Sequence, residues 1–334
     1  MLLEISKIWH ISISSIGCLA NLLLTYVALK KTPNATKSYA TLIINFAITD
    51  FAECFLDLFL LVRFIITPMQ TTLVYVFHGM CQYTGALSCK IGLSFLLHCY
   101  PHSAWSLLLS FSYRYYILNR PALTRKILVL LILLAYMPSL FQALTYWTVI
   151  VDREQILPLI DEFFPQYNLS EEPGIIEGVT TINTFPGIFF LIHLCLPIFP
   201  IYVAIIVLRA KIVKSLMKKA EMMSKDLRAN HKQILKCLTI QAMIPSIFMI
   251  AILAYFVAQF GIWTHPILEH LIFASVLPMP TLSPFTYLVY IRPYRMFCLR
   301  MLPIKRTAVS SGKSGQFYST NNVSSSGIPA KYAF

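Results

Sequence analysis

Charge is scarce in this chain. Only 12% of its 334 residues are Asp, Glu, Lys or Arg, against about 25% in an ordinary soluble domain. That excludes a typical cytosolic enzyme. Glycine is scarce as well, and 11 residues leave little room for a phosphate-cradling loop. No Ser-His-Asp order of a hydrolase stands out. The eight cysteines (Cys18, Cys54, Cys81, Cys89, Cys99, Cys195, Cys237, Cys298) contain no Cys-x-x-Cys, so zinc-ribbon and redox readings have no support. The first residues lack the basic stretch that precedes the short apolar core of a cleaved signal peptide. No internal repeat of the kind that marks transporters is visible.

What the chain does have is apolar length. It is 57% hydrophobic, with a mean hydropathy of +0.68. Seven apolar runs extend from Ile8 to Leu29, Tyr39 to Ile66, Leu87 to Leu118, Ile127 to Ile150, Phe185 to Leu208, Ile234 to Phe260 and Leu268 to Ile291. Each can cross a hydrocarbon core of about 30 Å. Backbone groups in lipid must be satisfied internally, so the runs are expected to be helices. The expected fold is an all-α membrane protein, a seven-transmembrane helix bundle over residues 1–291. Prolines inside the runs (Pro101, Pro138, Pro197, Pro200, Pro245, Pro284) are expected to kink them.

The net charge of +13 reads as membrane orientation, not nucleic-acid binding. The connections after the first, third and fifth runs, with the C-terminal tail, hold 23 Lys and Arg, and the other side holds four. The positive-inside rule then puts the N-terminus outside and the C-terminus in the cytoplasm. The connection from Val151 to Thr184 agrees, with seven acids and one Arg. Its Asn168-Leu169-Ser170 is a glycosylation sequon on the outer side. Asn34 and Asn322 head similar sequons placed on the inner side. Residues 292–302 read as an amphipathic juxtamembrane helix, in which Cys298 is a candidate for lipidation. Residues 303–334 read as a disordered cytoplasmic tail.

Charges inside a bilayer are costly and therefore informative. Asp50, Glu53 and Asp57 share one face of the second run. His98 and His102 lie one turn apart on the third, at a similar expected depth, and His193 on the fifth can join them. These five inner groups (Asp57, Glu53, His98, His102, His193) form a candidate ligand pocket. The bland alternative is that they hold helices together by hydrogen bonds. A metal site needs a third ligand and a second shell, and neither is visible. No metal or cofactor is expected.

Several short motifs occur in order. Gly17-Cys18-Leu19-Ala20-Asn21 resembles the Gly-x-x-x-Asn of G-protein-coupled receptors, and Asp50 resembles their membrane aspartate. Tyr113-Arg114-Tyr115 resembles their Asp/Glu-Arg-Tyr, with Tyr for the acid. Ser283-Pro284-Phe285-Thr286-Tyr287 resembles Asn-Pro-x-x-Tyr. The sixth run lacks the usual Cys-Trp-x-Pro. A closer likeness is carried by His78-Gly79-Met80-Cys81, Ser94 to His98, Leu107 to Leu118, Met137 to Gln142 and Arg292-Pro293-Tyr294-Arg295. On these the chain resembles the nematode serpentine chemoreceptors, class d. The resemblance implies a chemosensory G-protein-coupled receptor and not an enzyme. Its ligand, a small molecule or peptide, would bind within the bundle, and its partner would be a heterotrimeric G protein. Its place would be the plasma membrane of sensory neurons. Activation and coupling would involve Arg114, Tyr113, Tyr115, Asp50, Asn21, Pro284 and Tyr287. Two departures matter. Val151–Thr184 has no cysteine, which precludes the common receptor disulfide and leaves Cys81 and Cys89 as candidates for a local one. The acid before Arg114 is missing, so the usual intrahelical ion pair is absent. The competing readings are a heptahelical metal hydrolase, suggested by the histidines and acids, and a channel or transporter, suggested by the acidic stripe.

Overall fold

The structure, a computed structural model, describes residues 1–32, 37–68, 71–163, 169, 172–220, 236 and 239–301. The sequons at Asn34, Asn168 and Asn322 and the tail from 302 lie outside the described residues. The helices are α1 (Leu2–Lys31), α2 (Lys37–Leu60), α3 (Ala86–Ile117), α4 (Arg125–Tyr146), α5 (Arg153–Phe163), α6 (Phe185–Cys195), α7 (Ile198–Ala220), α8 (Pro245–Gln259), α9 (Pro266–Val276), α10 (Pro278–Tyr290) and α11 (Arg292–Met301). The strands are β1 (Val62–Ile66), β2 (Leu73–Phe77), β3 (Val151–Asp152) and β4 (Ile175–Val179).

Together they form a seven-span bundle. Among the described residues, five stretches are long and apolar enough to cross a membrane on their own: Leu2–Lys31, Arg125–Val149, Phe185–Lys218, Thr239–Gln259 and Pro266–Tyr290. The other two spans, α2 and α3, carry the ionisable residues and turn them inward. The fifth and seventh spans are each two helices. Their breaks fall at Pro197 and Pro278, whose missing N–H removes a helical hydrogen bond, while Leu196 and Leu277 before them keep right-handed helical geometry. The fifth span stays continuous in space, since the Ile201 amide bonds the Pro197 carbonyl at 3.0 Å.

Two expectations need correction. The second span does not reach Ile66. Its helix stops at Leu60, Leu61 takes a left-handed φ of 42°, and Val62–Ile66 become a strand. A short apolar run rich in β-branched residues fits a strand as well as a buried helix, and here pairing with β2 decides it. Gly79 fixes that corner. Its amide bonds the Leu60 carbonyl at 3.0 Å, and a Cβ there would strike the backbone of Phe59 and Leu60. The connection 151–184 is likewise not only a loop. It holds β3, α5 and β4.

The four strands form one antiparallel sheet in the order β1-β2-β4-β3. One face carries Val74, Val76 and Ile176, which pack against Ile156 and Ile160 of α5. The other carries Phe64, Tyr75, Phe77 and Val179, which join the main core with Leu93, Leu97, Phe190, Phe248 and Phe273. The sheet is therefore a roof over one end of the bundle. The opposite end holds Arg114 and α11, where Lys31 lies 5.0 Å from the Phe297 ring. A disulfide joins Cys81 to Cys89, with Cα atoms 5.2 Å apart, and ties the start of α3 to the segment leaving β2.

Candidate functional site

The polar residues of the second and third spans do not form one pocket. Asp57 faces α1: its carboxylate meets His10 Nδ1 at 2.8 Å and accepts from Ser14 Oγ at 2.7 Å. Glu53 faces α3 and accepts from Ser103 Oγ at 2.6 Å. Asp50 is buried between these contacts, and its Oδ2 has no hydrogen-bond partner among the described residues. His98 and His102 face α4, where the Tyr136 ring lies 4.5 Å and 4.0 Å from theirs. Helical phase explains the split, since Ser103 stands about 140° around α3 from His98 at 100° per residue. His193 belongs to another junction. Its Nδ1 donates to Gln142 Oε1 at 2.7 Å, and Gln142 Nε2 donates to the Leu97 carbonyl at 3.0 Å. That relay joins α6, α4 and α3. Among the described residues no three His, Cys, Asp or Glu side chains are grouped to hold a metal ion.

His10 and Ser14 escaped the sequence reading, although a signal was there. His10, Ser14, Gly17 and Asn21 follow one another at spacings of four, three and four, a polar-to-small stripe along the inward face of α1. Gly17 admits Cys54 and Thr281, whose side chains would collide with a Cβ. Asn21 then bridges to α10 by donating to the Pro280 carbonyl at 3.0 Å. Small residues of this kind let membrane helices approach closely.

A cavity of about 70 Å³ lies under the sheet, between α3, α6, α8 and α9. Phe64, Leu73 and Tyr75 form its roof, Leu97 and Tyr100 one side, and Phe190, Tyr255 and Phe273 others. The roof is rigidly joined: Tyr75 and Phe64 stack at 5.0 Å, and the Tyr75 and Tyr146 hydroxyls meet at 2.8 Å. None of Asp57, Glu53, His98, His102 or His193 lines it.

Charges around the roof are mostly paired. Arg63 on β1 donates to Glu269 at 2.8 Å and Glu172 at 3.0 Å, tying the sheet to α9. Lys90 meets Asp152 at 2.8 Å. Burial, then the nearby Lys7, lowers the pKa of His78. Glu177 on β4 is fully buried beside Tyr75 and Asp152, and neither carboxyl oxygen has a hydrogen-bond partner among the described residues. Burial pushes its pKa up to about 8, against the smaller pull of Lys90.

At the other end Arg114 is 8% exposed. Its guanidinium lies 4.5 Å from the ring centre of Tyr39 on α2, a cation–π contact. Tyr113 is buried beside it, and Ser38 Oγ on α2 donates to the Leu123 carbonyl at 3.1 Å. Tyr115 faces Lys211 at 5.9 Å. Pro284 and Tyr287 are buried on α10, and Tyr287 packs against Phe46.

The path of these helices is that of a known class. Squid rhodopsin superposes with a TM-score of 0.59 over 90% of this chain and 85% of its own, at 15% identity. The fold is thus that of the seven-helix, rhodopsin-like receptors. The chain belongs to a particular family within it, the serpentine type 7TM GPCR chemoreceptor Srd family, whose model matches residues 6–300. Similar proteins include serpentine receptor class delta-19 of Caenorhabditis elegans, 52% identical over 94% of this chain and 94% of its own. Class delta-18 is 52% identical over 89% and 88%, and class delta-1 is 33% identical over 90% and 81%, both from the same organism. The protein is a multi-pass membrane protein of a receptor family, not of an enzyme family.

Proposed function

We propose that the protein is a ligand-activated chemosensory receptor that signals to a heterotrimeric G protein. The observation that carries this reading is the pairing of an apolar cavity under the sheet with a nearly buried arginine at the far end of the same helix, α3. A ligand that binds one of two bundle arrangements better shifts their populations, and α3 runs from the cavity wall at Leu97 and Tyr100 to Arg114. The sheet end faces outside and the Arg114 end faces the cytoplasm, as the basic asymmetry of the connections requires. The receptor sits in the plasma membrane, in sensory neurons, where a chemosensory role would place it. Asp57, Glu53, His98, His102 and His193 serve as helix-linking groups around the ligand site, and Asp50, Asn21, Pro284 and Tyr287 carry the rearrangement toward Arg114. Asn168 carries glycan and Cys298 is lipidated.

The test is a second-messenger readout in cells expressing the receptor, screened against a chemically broad ligand panel. Ala251→Phe, which fills the cavity from α8, is expected to abolish the response at unchanged surface level. A response that survives this change places the ligand elsewhere. Current or flux without a G protein would favour the channel reading.

A further inference from the structure

The wall of the cavity decides what it can hold. Its lining includes Leu97, Leu191, Ile252 and Val276 with the rings of Phe190 and Phe273, and no polar atom reaches its surface. Most polar atoms nearby are turned elsewhere; the exception on the wall is the buried Tyr100 hydroxyl, which has no hydrogen-bond partner among the described residues. The Tyr75 hydroxyl is spent on Tyr146, and Gln142 is spent on His193 and Leu97. Arg63 is held by Glu172 and Glu269, and Lys90 by Asp152. Glu177 lies on the bundle face of the sheet but does not line the cavity, and at neutral pH its carboxyl is largely uncharged. An ionised ligand brought here would lose its hydration and meet no counter-charge, which costs several kcal/mol even after relaxation. A ligand with many hydroxyls or amides would leave them unsatisfied.

Resting on the reading of this cavity as the ligand site, we infer that the ligand is an uncharged, hydrocarbon-rich small molecule, recognised by shape and burial with at most one hydrogen bond, to the Tyr100 hydroxyl. Size follows from volume. Dry apolar cavities of about 150 Å³ take benzene, so about 70 Å³ accepts a smaller body unless the rings of Phe273 or Tyr255 rotate. Peptides, amines and carboxylates are excluded as the main agonists. The apolar selectivity comes from the whole wall, so a single wall residue sets size and does not set polarity.

The experiment compares matched series on one small carbon skeleton: propane, butane and methoxyethane against propylamine and propanoic acid. Each is applied at equal free concentration to cells with the second-messenger readout and to purified receptor by thermal unfolding. The expected result is response or stabilisation by the neutral members at concentrations at least tenfold below the amine and acid, lost in Ala251→Phe. Phe273→Leu, which enlarges the wall gently, is expected to move the preferred size upward by one or two carbons. An amine or acid as the best binder, with its effect removed by Ala251→Phe, overturns the ligand class and keeps the cavity. A neutral binder indifferent to both wall variants overturns the cavity as the site. Silence across the whole neutral series in both assays overturns the inference too.

Discussion

His10 on α1 and Asp57 on α2 meet at 2.8 Å with 2% and 0% of their side chains exposed. They stand 47 residues apart in sequence and at the same depth in the bundle. Ser14 occupies the second carboxylate oxygen, so the aspartate is satisfied from α1 alone. Truncating one partner of such a buried hydrogen-bonded pair leaves the other unsatisfied and costs about 1–3 kcal/mol. Asp57→Ala and His10→Ala are expected to lower the unfolding temperature of purified receptor and its surface level. The molecules that do reach the surface should keep their ligand sensitivity. A changed ligand sensitivity at normal stability would put Asp57 in the ligand site instead.

Arg114 and Tyr39 form the contact that stands where related receptors use an acid. A cation–π contact contributes about 0.5–2 kcal/mol. Tyr39→Leu should therefore raise ligand-independent signalling by roughly 2- to 30-fold. Arg114→Ala should abolish signalling at normal surface expression, and Tyr113→Asp, which restores an acid beside the arginine, should lower the basal level. Basal second-messenger assays normalised to surface receptor measure all three. Normal signalling by Arg114→Ala would leave the coupling role without support.

Glu177 gives the roof a pH dependence. Its folded-state pKa, about 8, is raised from the ordinary 4.5 of a glutamate, so folding favours the protonated form. The contribution is fully present below about pH 4.5 and is lost as pH rises through about 8. Wild-type receptor is expected to unfold at lower temperature at pH 9 than at pH 6. Glu177→Gln, neutral throughout, should flatten that difference, and an unchanged pH profile in the variant would assign the dependence to another group.

The Cys81–Cys89 disulfide closes a loop of eight residues of sequence separation. The chain-entropy relation gives about 2.5 kcal/mol for a loop of that size. Cys81→Ser with Cys89→Ser should lower the unfolding temperature accordingly and loosen the start of α3. Hydrogen exchange at Ala86 to Leu93 would report the loosening. The roof's own strands should exchange as before.

The spans were legible because twenty apolar residues in a row have few alternatives in water or lipid. The sheet was not. Val62–Ile66 continues the apolar run of α2 without a break in composition, and only β2, itself the five residues Leu73–Phe77, makes it a strand. β4 pairs with β2 across about a hundred residues, a relation no local pattern carries. The acidic stripe was read correctly as inward-facing, because the cost of charge in lipid allows little else. Its partners were not, since a helix 3.6 residues per turn spreads neighbours such as His98 and Ser103 onto different faces. The cavity was invisible for a simpler reason. In a chain 57% hydrophobic, Phe190, Tyr255 and Phe273 look like every other apolar residue.

The strand order also sets a timetable for biosynthesis. Val76 on β2 pairs with Ile176 on β4, and a ribosome adding about 5–20 residues per second needs about 5–20 s to bridge that interval. During it the β1–β2 hairpin stands without β4, and bare strand edges invite wrong partners. The hairpin must wait for α4 to be inserted and the next connection to emerge. A folding helper that shields strand edges in that window is thus a natural requirement for yield. Pausing translation before residue 175 should trap the hairpin in a state that such a helper binds.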